Sequence, residues 1–216
     1  MTLVQKYALL PEEIDRESLN MVEASLPDSM NLTPNERFVV SRIVRAEGDP
    51  EIAQSIKFSL GAVDLGIAAL RAKAPVLTDV RMVEVGISKA LLAAHNITTH
   101  CRIDAPEVAQ RAQKESTTRS IAAIRELAPL LEGAVVTIGN APTALLALLD
   151  LLGEGAQRPA VVLGMPVGFV ACAESKEELV QSDVPFMTIQ GRRGGSSAAA
   201  AAVNAMLILA GKQVVV

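Results

Sequence analysis

The sequence predicts a single α/β domain over residues 1–216, in which a doubly wound, mostly parallel sheet carries helices on both faces behind an N-terminal helical segment. The composition supports this prediction, because 50% of the residues are hydrophobic and 20% are charged, enough to bury a large core. From Pro75 onward the chain repeats one unit, a short apolar strand, a glycine turn and a helix. The strands are apolar throughout rather than alternating, which is typical of a sheet covered on both faces.

The first third of the chain has helical patterns. A proline that suits a first helical turn is followed by three side chains on one helix face, Ile14, Ser18 and Val22. The run TPNE, residues 33–36, is a capping box with proline at the first helical position. It predicts a helix that ends near Ala46, where the run EGDP follows.

Short β-rich runs and helical stretches alternate in the rest of the chain. PVLTDV and ITTHCRI come first, and three units of one form follow, with strands VVTIG, AVVLG and FMTIQ. Such units build parallel sheets with right-handed crossovers. Ligands of these sheets bind at the carboxyl ends of the strands. We therefore expect the turns GNAP, GMPVG and GRRGG to line one crevice.

Charge and composition exclude several classes of function. The formal charge is −4, with one Tyr, four Phe and no Trp, which disfavours nucleic acid as a partner. His95, His100, Cys101 and Cys172 are the only His and Cys residues, and their spacing predicts neither a metal site nor a disulfide framework. The first residues show no basic region followed by an apolar one, so we expect a cytoplasmic protein.

Two further patterns bear on membranes and cofactors. The longest charge-free run, residues 194–211, approaches the length of a membrane span, but it is mostly Ala and Ser and contains Asn204. It therefore predicts a buried helix and no membrane partner, with the amide of Asn204 bonded to backbone. No GxGxxG follows a strand and no GxxxxGK[ST] occurs, so no cofactor is expected.

The three turns do offer groups that bind anions. Arg192 and Arg193 lie in one turn, and Lys176 follows shortly after another. Helix N-termini carry partial positive charge, and arginine can bind a carboxylate through two hydrogen bonds. These features predict a small ligand with several acidic groups. The alternative is that the arginines are solvated and the glycines only permit tight turns.

Three runs together resemble the precorrin-8X methylmutase family of corrin biosynthesis: GNAPTALLALL (139–149), GMPVGFVACAESK (164–176) and GRRGGSSAAAAAVNAM (191–206). Upstream, TDVRMVEVGI (78–87) is similar to the family's D-x-x-M-V-x-x-G-I segment. The resemblance implies a cytoplasmic homodimer of α/β subunits that binds a tetrapyrrole near the subunit interface without a cofactor. The implied reaction moves a methyl group between adjacent carbons of ring C, converting precorrin-8X to hydrogenobyrinate or cobalt-precorrin-8 to cobyrinate.

Such a macrocycle carries acetate and propionate side chains, which agrees with the anionic ligand that the turns predict. For Ser18 a bond within its own helix, and for Arg119 a solvated position, remain as alternatives to substrate contact. Position by position, the resemblance implies that the substrate-binding residues are Ser18, Arg119, Asn140, Gly164, Pro166, Gly168, Glu174, Ser175, Lys176, Arg192, Gly194, Gly195 and Ser196.

The sequence departs from the family at the catalytic position. The family's catalytic histidine lies in a segment R-x-x-H-A, and here the segment is RIVRA, which places Arg45 at that position. Histidine can donate and recover a proton near neutral pH, whereas arginine stays protonated. Three interpretations follow. Arg45 polarises the ring or a carboxylate in a working methylmutase, or the protein binds a tetrapyrrole without turnover, or the match is displaced and His95 or His100 supplies the proton.

Overall fold

The computed structural model describes residues 2–3, 10–27 and 29–212, and a six-stranded sheet lies at its centre. The strands are β1 (Ile56–Phe58), β2 (Val76–Thr78), β3 (Thr99–Cys101), β4 (Val135–Ile138), β5 (Val161–Gly164) and β6 (Phe186–Ile189). The helices are α1 (Pro11–Ser25), α2 (Pro34–Glu47), α3 (Ala62–Arg71), α4 (Arg81–Gly86), α5 (Lys89–His95), α6 (Pro106–Lys114), α7 (Arg119–Leu127), α8 (Pro142–Gly153), α9 (Cys172–Gln181) and α10 (Ser196–Gly211). Short 3₁₀ helices cover Pro50–Ser55 and Ala128–Leu130.

The strand order is β1-β6-β5-β4-β2-β3, and the neighbouring strands from β6 to β3 run parallel. Strand β1 is antiparallel to β6, with Ile56 opposite Ile189. The doubly wound, mostly parallel sheet is thus confirmed. Strand β1 is a correction, because the sequence patterns of the first third of the chain predict helices and β1 lies within that third. Its pairing partner lies far along the chain, so local sequence patterns do not indicate it.

Helices cover both faces of the sheet, as the apolar strands require. Val135 and Val161 face a core shared with α2, α3 and α10. Val136 and Val162, one residue further along each strand, face a second core shared with α7, α8 and α9. Successive strand residues therefore enter different cores, which accounts for strands made mostly of apolar side chains. Thr78, Thr137 and Thr188 are buried polar exceptions in β2, β4 and β6.

Helix α10 is the buried helix that the charge-free run predicts. It packs against α2, α3 and α4. No helix among the described residues is long and apolar enough to cross a membrane. Asn204 bonds to backbone as predicted, because its Oδ1 accepts from the Ser88 amide (2.8 Å) and its Nδ2 donates to the Gly86 carbonyl (3.0 Å). These bonds attach α10 to the segment between α4 and α5.

Helix α2 begins with the predicted capping box. Thr33 Oγ1 accepts from the Glu36 amide (3.2 Å), and Glu36 Oε2 accepts from the Thr33 amide (2.8 Å). The helix ends where Gly48 adopts a left-handed conformation, with φ of 65°. The Asp49 side chain then caps the 3₁₀ helix through the Glu51 amide. Helix α2 packs against α10.

Candidate active site

The turns that follow β4, β5 and β6 meet at one edge of the sheet, as predicted, but Asp79 occupies the amides of the first turn. Asp79 directly follows β2 and is completely buried. Its carboxylate accepts hydrogen bonds from the amides of Gly139 (3.0 Å), Asn140 (2.9 Å) and Ala141 (2.9 Å). Burial raises the pKa of the Asp79 carboxyl, and these amide donors offset part of that rise.

The occupied amides correct one expectation. The amides of the GNAP turn are not available to a ligand, because a carboxylate of the chain itself already occupies the N-terminus of α8. The exposed side chain of Asn140 is the polar group that this turn presents.

The second and third turns are bound to each other through backbone groups. The Gly195 amide donates to the Met165 carbonyl (2.9 Å), and the Gly168 amide donates to the Arg192 carbonyl (3.3 Å). Gly194 crosses the second turn closely, since a Cβ placed on it would lie 2.6 Å from Met165 O. The two glycine turns therefore form one rigid unit.

Lys176 contacts this unit from the interior of the protein. The side chain is completely buried, and its Nζ donates to the carbonyls of Gly191 (3.0 Å) and Arg193 (2.6 Å). Burial lowers the pKa of the Lys176 ammonium, while the neighbouring Cys172 side chain acts in the opposite direction. Lys176 thus binds the inner side of the GRRGG turn, which differs from the substrate contact expected of it.

The close crossing at Gly194 gives a first testable prediction. Its φ of 136° is unfavourable for any residue with a Cβ, and the atoms that a Cβ would meet are backbone atoms of Met165 and Pro166. Gly194→Ala is therefore expected to lower the free energy of unfolding by about 3 kcal/mol, measured by urea denaturation. Gly153→Ala is the control, because a Cβ at the end of α8 meets no atom within 4 Å. Equal stability of the two variants would contradict the prediction.

An open pocket of about 560 Å³ lies beside these turns. Its walls come from the end of α2, from α4, from the first half of α10 and from the turns after β4 and β5. Small side chains form the α10 wall, and polar groups stand around it. The residues that line it are Ala46, Met82, Gly86, Asn140, Val167, Ser196, Ser197, Ala200, Ala201 and Asn204.

Two smaller pockets adjoin this one. A pocket of about 360 Å³ shares Val167 with it and includes Arg192 and Phe169. The Arg192 guanidinium lies 5.3 Å from the centre of the Phe169 ring, and that ring is 80% exposed. A pocket of about 270 Å³ shares Ala46, Ala201 and Asn204 with the first and includes Arg42 and Arg45. Arginines therefore stand at both ends of one continuous cleft.

Ionic contacts join α2 to the third turn and to α10. Arg193 forms an ion pair with Asp49, just beyond the end of α2. Ser197 donates to Glu47 Oε1 at 2.5 Å. These contacts position the C-terminal end of α2, and with it Arg45, relative to the cleft.

Arg45 reaches this cleft from α2. Its side chain is 32% exposed and forms an ion pair with Asp15 of α1. Neither His95 nor His100 lines the cleft. His95 lies beside Gly211, at the opposite edge of the sheet, and His100 contacts Thr98 at the outer strand β3.

Comparison with known proteins identifies the family to which this geometry belongs. A sequence model of the family described as Precorrin-8X methylmutase matches residues 13–209. The chain belongs to the precorrin-8X methylmutase family.

Individual relatives agree with this result. A cobalt-precorrin-8 methylmutase of Priestia megaterium is 40% identical over 200 residues, covering 93% of this chain and 88% of the relative. A precorrin-8X methylmutase of Pseudomonas aeruginosa is 46% identical over 167 residues, covering 76% of this chain and 80% of the relative. The crystal structure of precorrin-8X methylmutase from Thermus thermophilus has a TM-score of 0.86 at 40% identity, covering 92% of this chain and 96% of that one. The α/β fold class is thereby confirmed a second time.

The family motifs fall into two groups in this structure. Residues at the cleft are Arg45, Asn140, Gly168, Arg192, Gly194 and Ser196. Buried residues that support the turns from inside are Gly164, Pro166, Ser175, Lys176 and Gly195. In the second group, the Ser175 hydroxyl donates to the Cys172 carbonyl (3.0 Å) and Gly164 packs against Leu179, so these two residues contact the interior of the protein.

Three predicted residues lie outside the cleft lining. Glu174 is exposed on α9. Arg119 is exposed at the start of α7, where the neighbouring Thr118 hydroxyl lies 3.5 Å from that of Thr143 in the first turn of α8. Ser18 is half-buried on α1, three residues after the Asp15 that pairs with Arg45. Ser18 therefore lies on the helix that pairs with Arg45, and Arg119 begins a helix that packs against α8.

Sequence reasoning missed Asp79, Arg42 and Phe169. A signal for Asp79 was present, because an acidic residue directly after a buried apolar strand must find donors at the sheet edge. Phe169 had a weaker signal as an aromatic residue in a glycine turn. The only sequence signal for Arg42 was its position in RIVRA, about one helical turn before Arg45.

Proposed function

We propose that this protein is an isomerase of cobalamin biosynthesis, which moves a methyl group between adjacent carbons of ring C of precorrin-8X or cobalt-precorrin-8. The observation that carries the proposal is the cleft itself. A wall of small side chains on α10, including Ala200 and Ala201, leaves space for the flat face of a macrocycle. Arginines at both ends of the cleft suit the carboxylates at the macrocycle's edge.

The reaction requires little from the protein beyond positioning the substrate and stabilising charge. One carbon–carbon bond to the methyl group breaks and one forms at the neighbouring carbon, so substrate and product are isomers. The reaction therefore consumes no oxidant, reductant or second substrate. The protein must hold the ring in one orientation and stabilise charge that develops in the conjugated system.

We assign roles accordingly. Arg45 donates hydrogen bonds to the ring periphery or to a carboxylate and stabilises negative charge there. Solvent supplies a proton to the ring before the methyl shift and takes one back after it, so substrate and product stay isomers. Arg192 and Arg119 bind carboxylates, and Asn140 and Ser196 offer polar contacts beside the ring. Lys176 holds the GRRGG turn in shape without touching the substrate.

We also propose a cytoplasmic homodimer without a cofactor. The main pocket is open to solvent, and the apolar side chains of Met82 and Val85 stand 63% and 69% exposed on α4 beside it. A second subunit that covers this rim would exclude water from the bound tetrapyrrole. Light scattering tests this assembly, and a monomer at micromolar concentration would contradict it.

Turnover is tested by anaerobic absorbance with precorrin-8X and, separately, with cobalt-precorrin-8. The expected result is complete conversion to hydrogenobyrinate or cobyrinate at substoichiometric enzyme, with product mass equal to substrate mass. A saturable spectral shift that then stays constant would overturn the isomerase and leave a tetrapyrrole-binding protein. No shift with either ligand would overturn both functions.

A further inference from the structure

Glu47 is an acidic side chain of the cleft to which the mechanism above assigns no role. It is the last residue of α2, is half-buried and lines the pocket that contains Arg192. Its Oε1 accepts a hydrogen bond from the hydroxyl of Ser197 at 2.5 Å, and Ser197 lines the main pocket. A ligand in the main pocket is therefore separated from this carboxylate by a single hydroxyl group.

The position of Glu47 at the end of α2 is locally unfavourable. The C-terminus of a helix carries partial negative charge, which repels a carboxylate. The first turn of α10 offsets part of this repulsion, because Ser197 is the second residue of α10 and a helix N-terminus carries partial positive charge. Residues that break a local rule are typical of functional sites. The placement therefore favours a role in the cleft over a role in stabilising α2.

The cations around Glu47 do not neutralise its charge. Arg193 pairs with Asp49, and the guanidinium of Arg192 lies over an aromatic ring. Among the residues that the structure describes, Glu47 forms no ion pair, and its one hydrogen-bond partner is the serine hydroxyl of α10. The pair of Arg193 with Asp49 already joins the end of α2 to the third turn. Glu47 therefore keeps its capacity to accept a proton.

We propose that Glu47 takes the proton from the ring after the methyl shift, through the hydroxyl of Ser197, which touches the ring. The inference rests on the proposed function, because it requires a protonated tetrapyrrole in the main pocket. The bond between a ring atom and its proton breaks, and its electron pair returns to the conjugated system. That proton bonds to Ser197 Oγ while the hydroxyl proton of Ser197 passes to Glu47 Oε1. The half-buried Glu47 then releases the proton to solvent and is a carboxylate again.

The hydrogen bond in the structure has the direction that this transfer needs. Ser197 donates to Glu47, so the lone pairs of its oxygen can accept a proton from the ring. Arg45 lies two residues before Glu47 on α2, and it stays protonated and cannot take that proton. Arg45 therefore supplies fixed charge and Glu47 supplies the proton acceptor, two functions that one histidine can combine.

Glu47→Gln tests the proton transfer while keeping the shape of the site. The amide oxygen of glutamine can still accept from Ser197, but it does not take a proton. We expect kcat for the methyl shift to fall about 100-fold, a typical contribution of general acid–base catalysis. The Kd of hydrogenobyrinate, titrated by absorbance, is expected to stay within about threefold of wild type, because ground-state binding is kept. Glu51→Gln is the matched control, since Glu51 is exposed on the next 3₁₀ helix and does not line the cleft.

Substitutions of Ser197 test whether its hydroxyl carries the proton. Ser197→Ala is expected to lower kcat as much as Glu47→Gln, whereas Ser197→Thr keeps a hydroxyl and is expected to retain most of the activity. The double variant Glu47→Gln/Ser197→Ala is expected to be no slower than either single variant, because both substitutions interrupt one transfer. Two independent structural contacts would instead give effects that multiply.

Added carboxylates provide a measurement that a structural role would not change. In Glu47→Ala, acetate is expected to restore part of kcat, and fluoroacetate, a weaker base of similar size, is expected to restore less. Neither anion is expected to change kcat of wild type. Equal rescue by the two anions would show that they fill space without taking a proton, and it would overturn the proposal.

The remaining outcomes separate this inference from the proposed function. If wild type converts the substrate and Glu47→Gln converts it equally fast, the inference is wrong while the proposed function stands. If Glu47→Gln weakens hydrogenobyrinate binding and leaves kcat unchanged, Glu47 only binds substrate and the proton transfer is wrong. If circular dichroism shows that Glu47→Gln is unfolded, equal kcat of Ser197→Ala and Ser197→Thr overturns the proposal. If wild type does not convert the substrate, the proposed function itself fails.

Discussion

Replacing Asp79 with alanine is expected to lower the free energy of unfolding by about 4 kcal/mol, because each buried N–H group left without an acceptor costs about 1–3 kcal/mol. The carboxylate of Asp79 is the acceptor for three consecutive amides of the turn after β4. It also supplies negative charge at the N-terminus of α8, where the helix dipole favours it. Urea denaturation followed by circular dichroism measures the loss.

Asp79→Asn is the sharper variant because it keeps the size of the side chain. The remaining oxygen can accept from the amides of Asn140 and Ala141, but the Nδ2 group then points a donor at the Gly139 amide. We expect about half of the stability loss of Asp79→Ala. We also expect kcat/KM to fall about tenfold, since the turn that displays Asn140 to the cleft shifts.

Asp104→Asn is the control for this series. Asp104 is exposed and pairs with Arg81 on the surface. The unfolding midpoint and kcat/KM of the Asp104→Asn variant are therefore expected to stay close to those of wild type. If Asp79→Asn unfolds at the wild-type urea concentration, the three amide bonds do not stabilise the turn and Asp79 has no positioning role.

Sequence patterns predicted the parts of this fold that depend on nearby residues. The capping box at Thr33 needs only four consecutive residues, and each strand–turn–helix unit is complete within about 25 residues. The buried state of α10 followed from its lack of charge. Asn204 was predicted to bond to backbone because a buried amide in such a helix needs partners. The edge of the sheet at which the turns meet followed from parallel topology alone.

Local sequence patterns could not predict the direction in which a side chain points or the pairing of segments that are distant in sequence. Strand β1 exists because Ile56–Phe58 pairs with β6, which lies about 130 residues later. A lysine in a ligand-binding motif suggests a ligand contact, yet Lys176 points inward to backbone carbonyls of the GRRGG turn. The acceptor of the GNAP amides, Asp79, is 60 residues distant in sequence from Gly139. None of these contacts has a local periodicity that would reveal it.

The position of charge explains how an acidic protein can bind a polycarboxylate. The net charge is −4, but Arg42, Arg45 and Arg192 are concentrated at the two ends of the cleft. The buried ammonium of Lys176 lies beneath the turn that carries Arg192. At the end that carries Arg192 the carboxylates of Glu47 and Asp49 also line the cleft, whereas Arg42 and Arg45 at the other end share the carboxylate of Asp15. A local excess of positive charge, as at the second of these ends, attracts anionic ligands irrespective of the sign of the total charge.

Arg45→Ala is expected to lower kcat by about 100-fold with a smaller change in KM, because removing one charge-stabilising donor from an active site typically costs that much in turnover. The side chain reaches the cleft and is held by Asp15, so its donors are pre-oriented. Arg158→Ala is the control, since Arg158 pairs with Asp183 outside the cleft lining. A kcat within about twofold of wild type for Arg45→Ala would exclude a catalytic role.

The pH profile of Arg45→His distinguishes a permanent charge from an acid. If Arg45 acts as a fixed cation, the histidine variant works only as imidazolium, and its kcat falls as the pH rises through about 6.5, the ordinary pKa of histidine. The kcat of wild type is expected to show no such decrease, because arginine stays protonated throughout that pH range. A histidine variant that is faster than wild type at pH 7.5 would contradict the fixed-cation role, since neutral imidazole carries no charge. It would show that proton transfer from this position, rather than charge alone, limits the rearrangement.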